Sequence, residues 1–106
     1  MNYKKTNNVG GTCLQGYITI PYNSICNKLG VPSKADEYKS DCEWAVEFDN
    51  GTVATLYNWK NGTNYLGKEY GIPKEEITNW NIGGNTKDAV TQLENIFKGV
   101  LWKQVN

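Results

Sequence analysis

The sequence predicts a small α+β domain: an antiparallel sheet around a central hairpin (about 43–59), with two helices (about 21–29 and 86–98) on one face. Two alternating apolar runs flank Asn50-Gly51, two segments repeat apolar residues at helical spacing, and 106 residues are enough for one core. Residues 1–11 read as a flexible, frayed polar N-terminus and 12–106 as the single domain.

Cys13–Ile20 alternates, with Leu14, Ile18 and Ile20 on one side and Gln15, Tyr17 and Thr19 on the other, which predicts a strand. Pro21 suits a first helical turn. Tyr22, Ile25, Cys26 and Leu29 then form one helical stripe, stopped by Gly30 and Pro32. Ser33–Asp41 reads as a charged loop. Glu43–Phe48 and Thr52–Trp59 are the hairpin strands. Asn50-Gly51 predicts a two-residue type I′ turn, which needs positive φ at both positions. Counting outward from that turn sets Phe48 opposite Val53, Val46 opposite Thr55 and Trp44 opposite Tyr57. It also makes Ala45 and Ala54 the small residues over which a helix could pass.

Asn61-Gly62 predicts a second turn, Thr63–Leu66 a short edge strand, and Pro73–Ile77 one helical turn. Thr78–Ile82 predicts a further strand, ended by Gly83-Gly84. The last helix is capped by Asn85 or Thr86. Its buried stripe is Ala89, Val90, Leu93, Ile96 and Phe97, and it ends at Gly99. Leu101, Trp102 and Val105 form an apolar tail that can fold back on the core. That tail and the unpaired hairpin edges leave a homodimer open.

Composition removes several function classes. Eleven lysines balance eleven acidic residues, and there is neither arginine nor histidine. Without arginine's bidentate fork, and with no lysine cluster beyond Lys4–Lys5, duplex DNA is not an expected partner. Without histidine the commonest general base and metal ligand are both missing. Cys13, Cys26 and Cys42 lack metal or disulfide-framework spacing and read as buried, reduced thiols. No signal-peptide core and no apolar run of membrane-spanning length is visible, so a cytoplasmic protein with no membrane partner is expected. Asn50-Gly51-Thr52 and Asn61-Gly62-Thr63 match the glycosylation pattern, but read as turns in a chain with no secretory route.

Catalytic groups are scarce. Glu43 and Glu47 share a strand face about 13 Å apart by strand rise, too far for a glycosidase pair at about 5–9.5 Å. Gly83-Gly84 precedes a helix and could cradle an anion, though a plain strand-to-helix turn accounts for it. No cofactor or metal is implied. The richer cluster is Tyr57-Asn58-Trp59-Lys60-Asn61-Gly62-Thr63-Asn64-Tyr65, where aromatic faces, amides and a lysine meet in a strand end and turn. Asn58, Trp59, Lys60, Asn61, Asn64 and Tyr65, with Trp80 if its strand lies nearby, are the candidate binding residues. Against this, Trp44, Tyr57 and Trp59 share one predicted face and read first as core packing, and the remaining residues first as a solvated turn.

Three stretches carry a resemblance: Gly11-Thr12-Cys13-Leu14-Gln15-Gly16-Tyr17, Gly51-Thr52-Val53-Ala54-Thr55-Leu56-Tyr57-Asn58-Trp59-Lys60 after Glu43-Trp44, and Ile77-Thr78-Asn79-Trp80-Asn81-Ile82-Gly83-Gly84. Over about Gly11–Lys98 the chain resembles a group of small, uncharacterised bacteriophage proteins with GTVAT-x-YNWK and W-x-IGG motifs. It differs in Asn50, where aspartate is common, and in Cys13, where serine or threonine is expected. The group brings no catalytic residues to carry over. The resemblance implies a phage-encoded, non-enzymatic protein in the host cytoplasm. Such a protein is expected to inhibit a host protein, for example a CRISPR component of a defence system. The alternative is a small-ligand binder that sequesters a nucleotide immune signal around Trp59, Lys60, Asn61 and Trp80. An enzyme acting through carboxylates or Lys60 is the third reading.

Overall fold

In the computed structural model, which describes residues 2–34 and 39–98, the chain is an α+β fold. Its elements in order are β1 (Tyr3–Lys5), β2 (Cys13–Thr19), α1 (Tyr22–Leu29), β3 (Ser33–Lys34), β4 (Cys42–Phe48), β5 (Val53–Tyr57), α2 (Thr63–Tyr70), β6 (Asn79–Gly84) and α3 (Asp88–Ile96). A single 3₁₀ turn, Lys74–Glu76, sits between α2 and β6. The sheet runs β1-β4-β5-β6-β2 with every pairing antiparallel, and β3 pairs with β4. The expected hairpin is thus at the centre. The N-terminal segment is not left outside the sheet: Tyr3, Lys4 and Lys5 pair with Phe48, Glu47 and Val46. β3 takes the other end of the same edge, so two short strands cover β4 in tandem.

The hairpin register differs from expectation by one residue. Phe48 N–H donates to Thr52 C=O (2.8 Å) and Gly51 N–H to Phe48 C=O (2.9 Å), which encloses a three-residue loop, Asp49–Gly51. Gly51 alone in this loop has positive φ (88°), so Asn50 is not in the left-handed position a type I′ turn demands. The Asn50 side chain instead accepts from Thr52 N–H (3.1 Å) and donates to Asp88 (3.1 Å). Trp44 therefore faces Leu56, Val46 faces Ala54 and Glu43 faces Tyr57. The one-residue shift moves Tyr57 to the face opposite Trp44.

One sheet face is the core. Trp44, Val46, Phe48, Ala54, Leu56, Trp80, Ile82 and Ile18 are buried there, and both expected helices pack over them. From α1, Ile25 and Leu29 are buried, and the Tyr22 ring lies 5.9 Å from Trp44 and 6.4 Å from Trp80. Ala89 and Leu93 of α3 and Phe97 just after it are buried, Leu93 and Phe97 each adding roughly 1.5–3 kcal/mol if apolar transfer is taken at face value. Side chains at Gly84 and Gly16 would strike Ala89 and Val90, so these glycines set how closely α3 approaches; Ala54 is the small residue on this face, and Ala45 lies on the other. Asp88 fastens the start of α3 by accepting from Gln92, Asn50 and Thr52. Those bonds hold its carboxyl below the usual value, the Gln92 bond foremost. Asn85 does not cap the helix but bonds Val53 N–H and Gly51 C=O across the hairpin.

Three further expectations change. A bulge between Leu14 and Gly16 turns Leu14 out of the core side, where it is half exposed. Gly83 and Gly84 are strand residues paired with Thr55 and Ala54, not a separate turn. Of the cysteines only Cys42 is buried; Cys26 is intermediate and Cys13 exposed. Leu101, Trp102 and Val105, like Gly99, lie outside the described residues. Among those described, no helix is long and apolar enough to cross a membrane.

Candidate functional site

At the end of β5 the chain passes through Asn58, which is fully buried. Its Oδ1 accepts from Asp41 N–H (2.7 Å) and Cys42 N–H (3.0 Å), and its Nδ2 donates to Asp41 Oδ1 (3.0 Å) and Asn61 Oδ1 (3.1 Å). Its main-chain carbonyl accepts from the Ser40 hydroxyl at 2.6 Å. All four side-chain hydrogen-bonding positions are used, so Asn58 ties β5 to the start of β4 and offers nothing to a ligand. Asn58, expected as a candidate binding residue, is carried to the core face by the one-residue shift in register.

Trp59 and Lys60 follow on the surface. Lys60 adopts φ 60°, the one positive φ among described non-glycine residues, with its N–H bonded to Lys39 C=O (2.7 Å). That conformation costs about 1–2 kcal/mol. It sends the lysine back over two rings: its Nζ lies 5.9 Å from the Trp59 centroid and 5.8 Å from Tyr65. Lys39 approaches Trp59 as well (5.5 Å), and Tyr57 meets it edge-on at 6.2 Å. Trp59 and Tyr65 remain 39% and 38% exposed.

Thr63–Leu66, expected as a short edge strand, instead opens the helix α2, which runs on to Tyr70. A strand there would have needed a partner, and the chain instead turns out and back. Ile72 N–H donates to Asn61 C=O (2.9 Å), and Gly62 bridges to Ile72, closing the excursion at its neck. Gly62 is required at this neck because any side chain would overlap the Asp41 carboxylate and the Asn58 amide. Asp41 holds the first turn, accepting from Thr63 Oγ1 (3.2 Å) and Asn64 N–H (3.3 Å), while Asn64 Nδ2 reaches Ser40 C=O. Beyond Asn64 nothing in α2 is buried: Tyr65, Leu66 and Tyr70 are exposed, as is Ile72 just past it, and Gly67 (φ 81°) kinks the helix. The absence of a buried stripe is why apolar periodicity could not reveal this helix.

Of the seven candidate residues, the structure brings Trp59, Lys60 and Tyr65 together on the surface. Asn58, Asn61 and Asn64 are the framework that holds them. Trp80 belongs elsewhere: it is 1% exposed, its Nε1 donates to Ile20 C=O (2.9 Å), and it packs edge-on against Trp44 at 5.3 Å on the core face. A pocket shared by Trp59, Lys60, Asn61 and Trp80 therefore does not exist. Sequence reasoning missed Asp41, Lys39, Leu66, Tyr70 and Ile72. The run of large apolar residues at Tyr65, Leu66, Tyr70 and Ile72, in an otherwise polar stretch, signals the last three, while nothing local in the sequence marks Asp41 or Lys39.

A cleft of about 570 Å³ lies behind α2, lined in part by Asp41, Cys42, Thr63, Lys68, Lys74 and Glu75. Its two lysines face two carboxylates, a balance that does not favour a polyphosphate. Burial raises the Cys42 thiol to about 11, so it is not a nucleophile at neutral pH. No protein-family model matches the chain, and no curated protein is similar to it.

Proposed function

We propose that this chain is a non-enzymatic binding protein that occupies another protein through Trp59, Lys60 and the outer side of α2. The observation that carries this is the exposure of Trp59, Tyr65, Leu66, Tyr70 and Ile72 along one excursion of the chain, with Lys60 over the first two rings. Such groups keep water contact at a cost unless something covers them, and Trp and Tyr are frequent anchors of protein interfaces. The rigid neck at Asn61–Ile72 and the Asp41 bonds hold the group in place before contact, which lowers the entropy lost on binding. The resemblance to bacteriophage proteins supports a host protein as the target, with a component of a defence system such as CRISPR the first candidate. A nucleotide sponge is the weaker reading, since the pocket it needs is not assembled.

The test is affinity capture from host lysate with wild type and with the Trp59→Ala/Tyr70→Ala pair, followed by a binding assay on the captured protein once purified. The expected result is at least a tenfold loss of affinity in the pair at unchanged circular dichroism. Unchanged capture, or a small molecule released from the native protein in place of a captured protein, overturns the reading.

A further inference from the structure

β2 is a sheet edge, and its composition differs from that of the opposite edge. That opposite edge is covered by two short strands, and β1 carries Lys4 and Lys5, both devices that keep foreign strands away. β2 has neither device. From Cys13 to Tyr22 there is no charged residue, and Tyr17 stands 69% exposed beside half-exposed Leu14.

The hydrogen-bond phase of β2 says which groups are open. Ile20 N–H donates to Thr78 C=O (2.8 Å), so by alternation Ile18 and Gly16 also turn their main-chain groups toward β6. Tyr17 and Thr19 turn theirs outward, and among the described residues no main-chain hydrogen bond reaches them from that side. We infer that a second copy of this chain fills this edge, with a twofold axis through Ile18. Antiparallel pairing about that point sets Tyr17 opposite Thr19 of the second copy and Thr19 opposite its Tyr17. Both pairs are of the closely hydrogen-bonded type, which gives four main-chain bonds. The ladder also stops itself: the bulged Gln15 falls opposite Pro21, which has no N–H to give. No like charges meet across the axis, and each Tyr17 ring lies against the other copy's Thr19. The occupant is a second copy because donors, acceptors and ladder ends are all self-complementary. The protected opposite edge means that the pairing closes as a dimer and does not grow into a fibre.

A ladder this short buries less than the roughly 800 Å² per partner of a standard interface, so the dimer is a weak, concentration-dependent one. Sedimentation equilibrium from about 1 to 500 µM should show monomer passing to dimer, while amide exchange at Tyr17 and Thr19 slows with concentration. Thr19→Pro removes one outward N–H without touching the β6 ladder, and Tyr17→Lys sets a charge on the edge. Each should shift dimerisation at least tenfold, with Thr19→Ala as the matched control retaining it. A monomer throughout the range overturns the inference. So does a dimer that survives both Thr19→Pro and Tyr17→Lys, or one whose Tyr17 and Thr19 amides exchange at the monomer's rate.

Discussion

Replacing Asn58 by alanine tests how the exposed site is held. The change orphans the N–H groups of Asp41 and Cys42 and frees the Asp41 carboxylate. A buried unsatisfied donor costs about 1–3 kcal/mol. Cys42 is buried but Asp41 is only half-buried and recovers water, so the sum is about 3 kcal/mol, a large part of the roughly 5–15 kcal/mol that stabilises a small domain. In thermal denaturation that is a drop of about 12–20 °C. Hydrogen exchange in α2 should accelerate alongside, because Asp41 also holds Thr63 and Asn64. Asn58→Asp sharpens the test. It keeps both N–H acceptors but turns an oxygen, not a donor, toward the Asp41 carboxylate 3.0 Å away. Two carboxylates there bind a proton more readily folded than unfolded, so this variant should gain stability relative to wild type as pH falls from 7 toward about 4. A cost below about 1 kcal/mol for Asn58→Ala with α2 exchange unchanged would refute the framework role.

Trp80 and Trp59 should part company. Trp80→Ala should cost about 3–5 kcal/mol by urea denaturation, as for any large core deletion, whereas Trp59→Ala should stay within about 1 kcal/mol. A thiol reagent should label exposed Cys13 first and reach Cys42 only on unfolding, because burial holds that thiol neutral with its pKa at about 11; labelling of Cys42 at the rate of Cys13 would contradict this. Asp88 is held below its ordinary value of 3.8, so its stabilisation is present above that value and lost as pH falls through the folded one. The gap in melting temperature between wild type and Asp88→Asn should accordingly close in acid; a constant gap from neutral pH to about pH 2 would count against the Gln92, Asn50 and Thr52 bonds.

What the sequence made legible was whatever expresses itself as local periodicity. The stripes Tyr22-Ile25-Cys26-Leu29 and Ala89-Val90-Leu93-Ile96-Phe97 lie where helical spacing puts them, and both helices share the core face of the sheet. The hairpin exists, but Asn50-Gly51 serves a two-residue or a three-residue loop equally well. The choice rests on Asp88 and Asn85, more than thirty residues away, which hold the Asn50 side chain and the Gly51 carbonyl. That one residue of register decided which aromatics were core. It put Tyr57 on the open face and Asn58 inside, the reverse of what their polarity suggests. β1 and β3 are too short and polar to announce themselves without their partner, and α2 has no buried face to leave a pattern. Within the site, Trp59, Lys60 and Tyr65 could be picked out as residue types, but not the loop geometry that gathers them.

The pairing of β1 with the hairpin has a practical side. Tyr3 lies against Phe48 beside the loop, while Trp59 and α2 lie beyond the far end of β5, about 20 Å away by strand rise. A fusion tag or surface-attachment handle ahead of Asn2 would therefore hold the molecule by the end remote from its exposed aromatic group. Trimming the first six residues to make a shorter reagent would do the opposite of tidying it. The cut would strip the cover from Val46–Phe48, turning a well-behaved probe into one that sticks to itself.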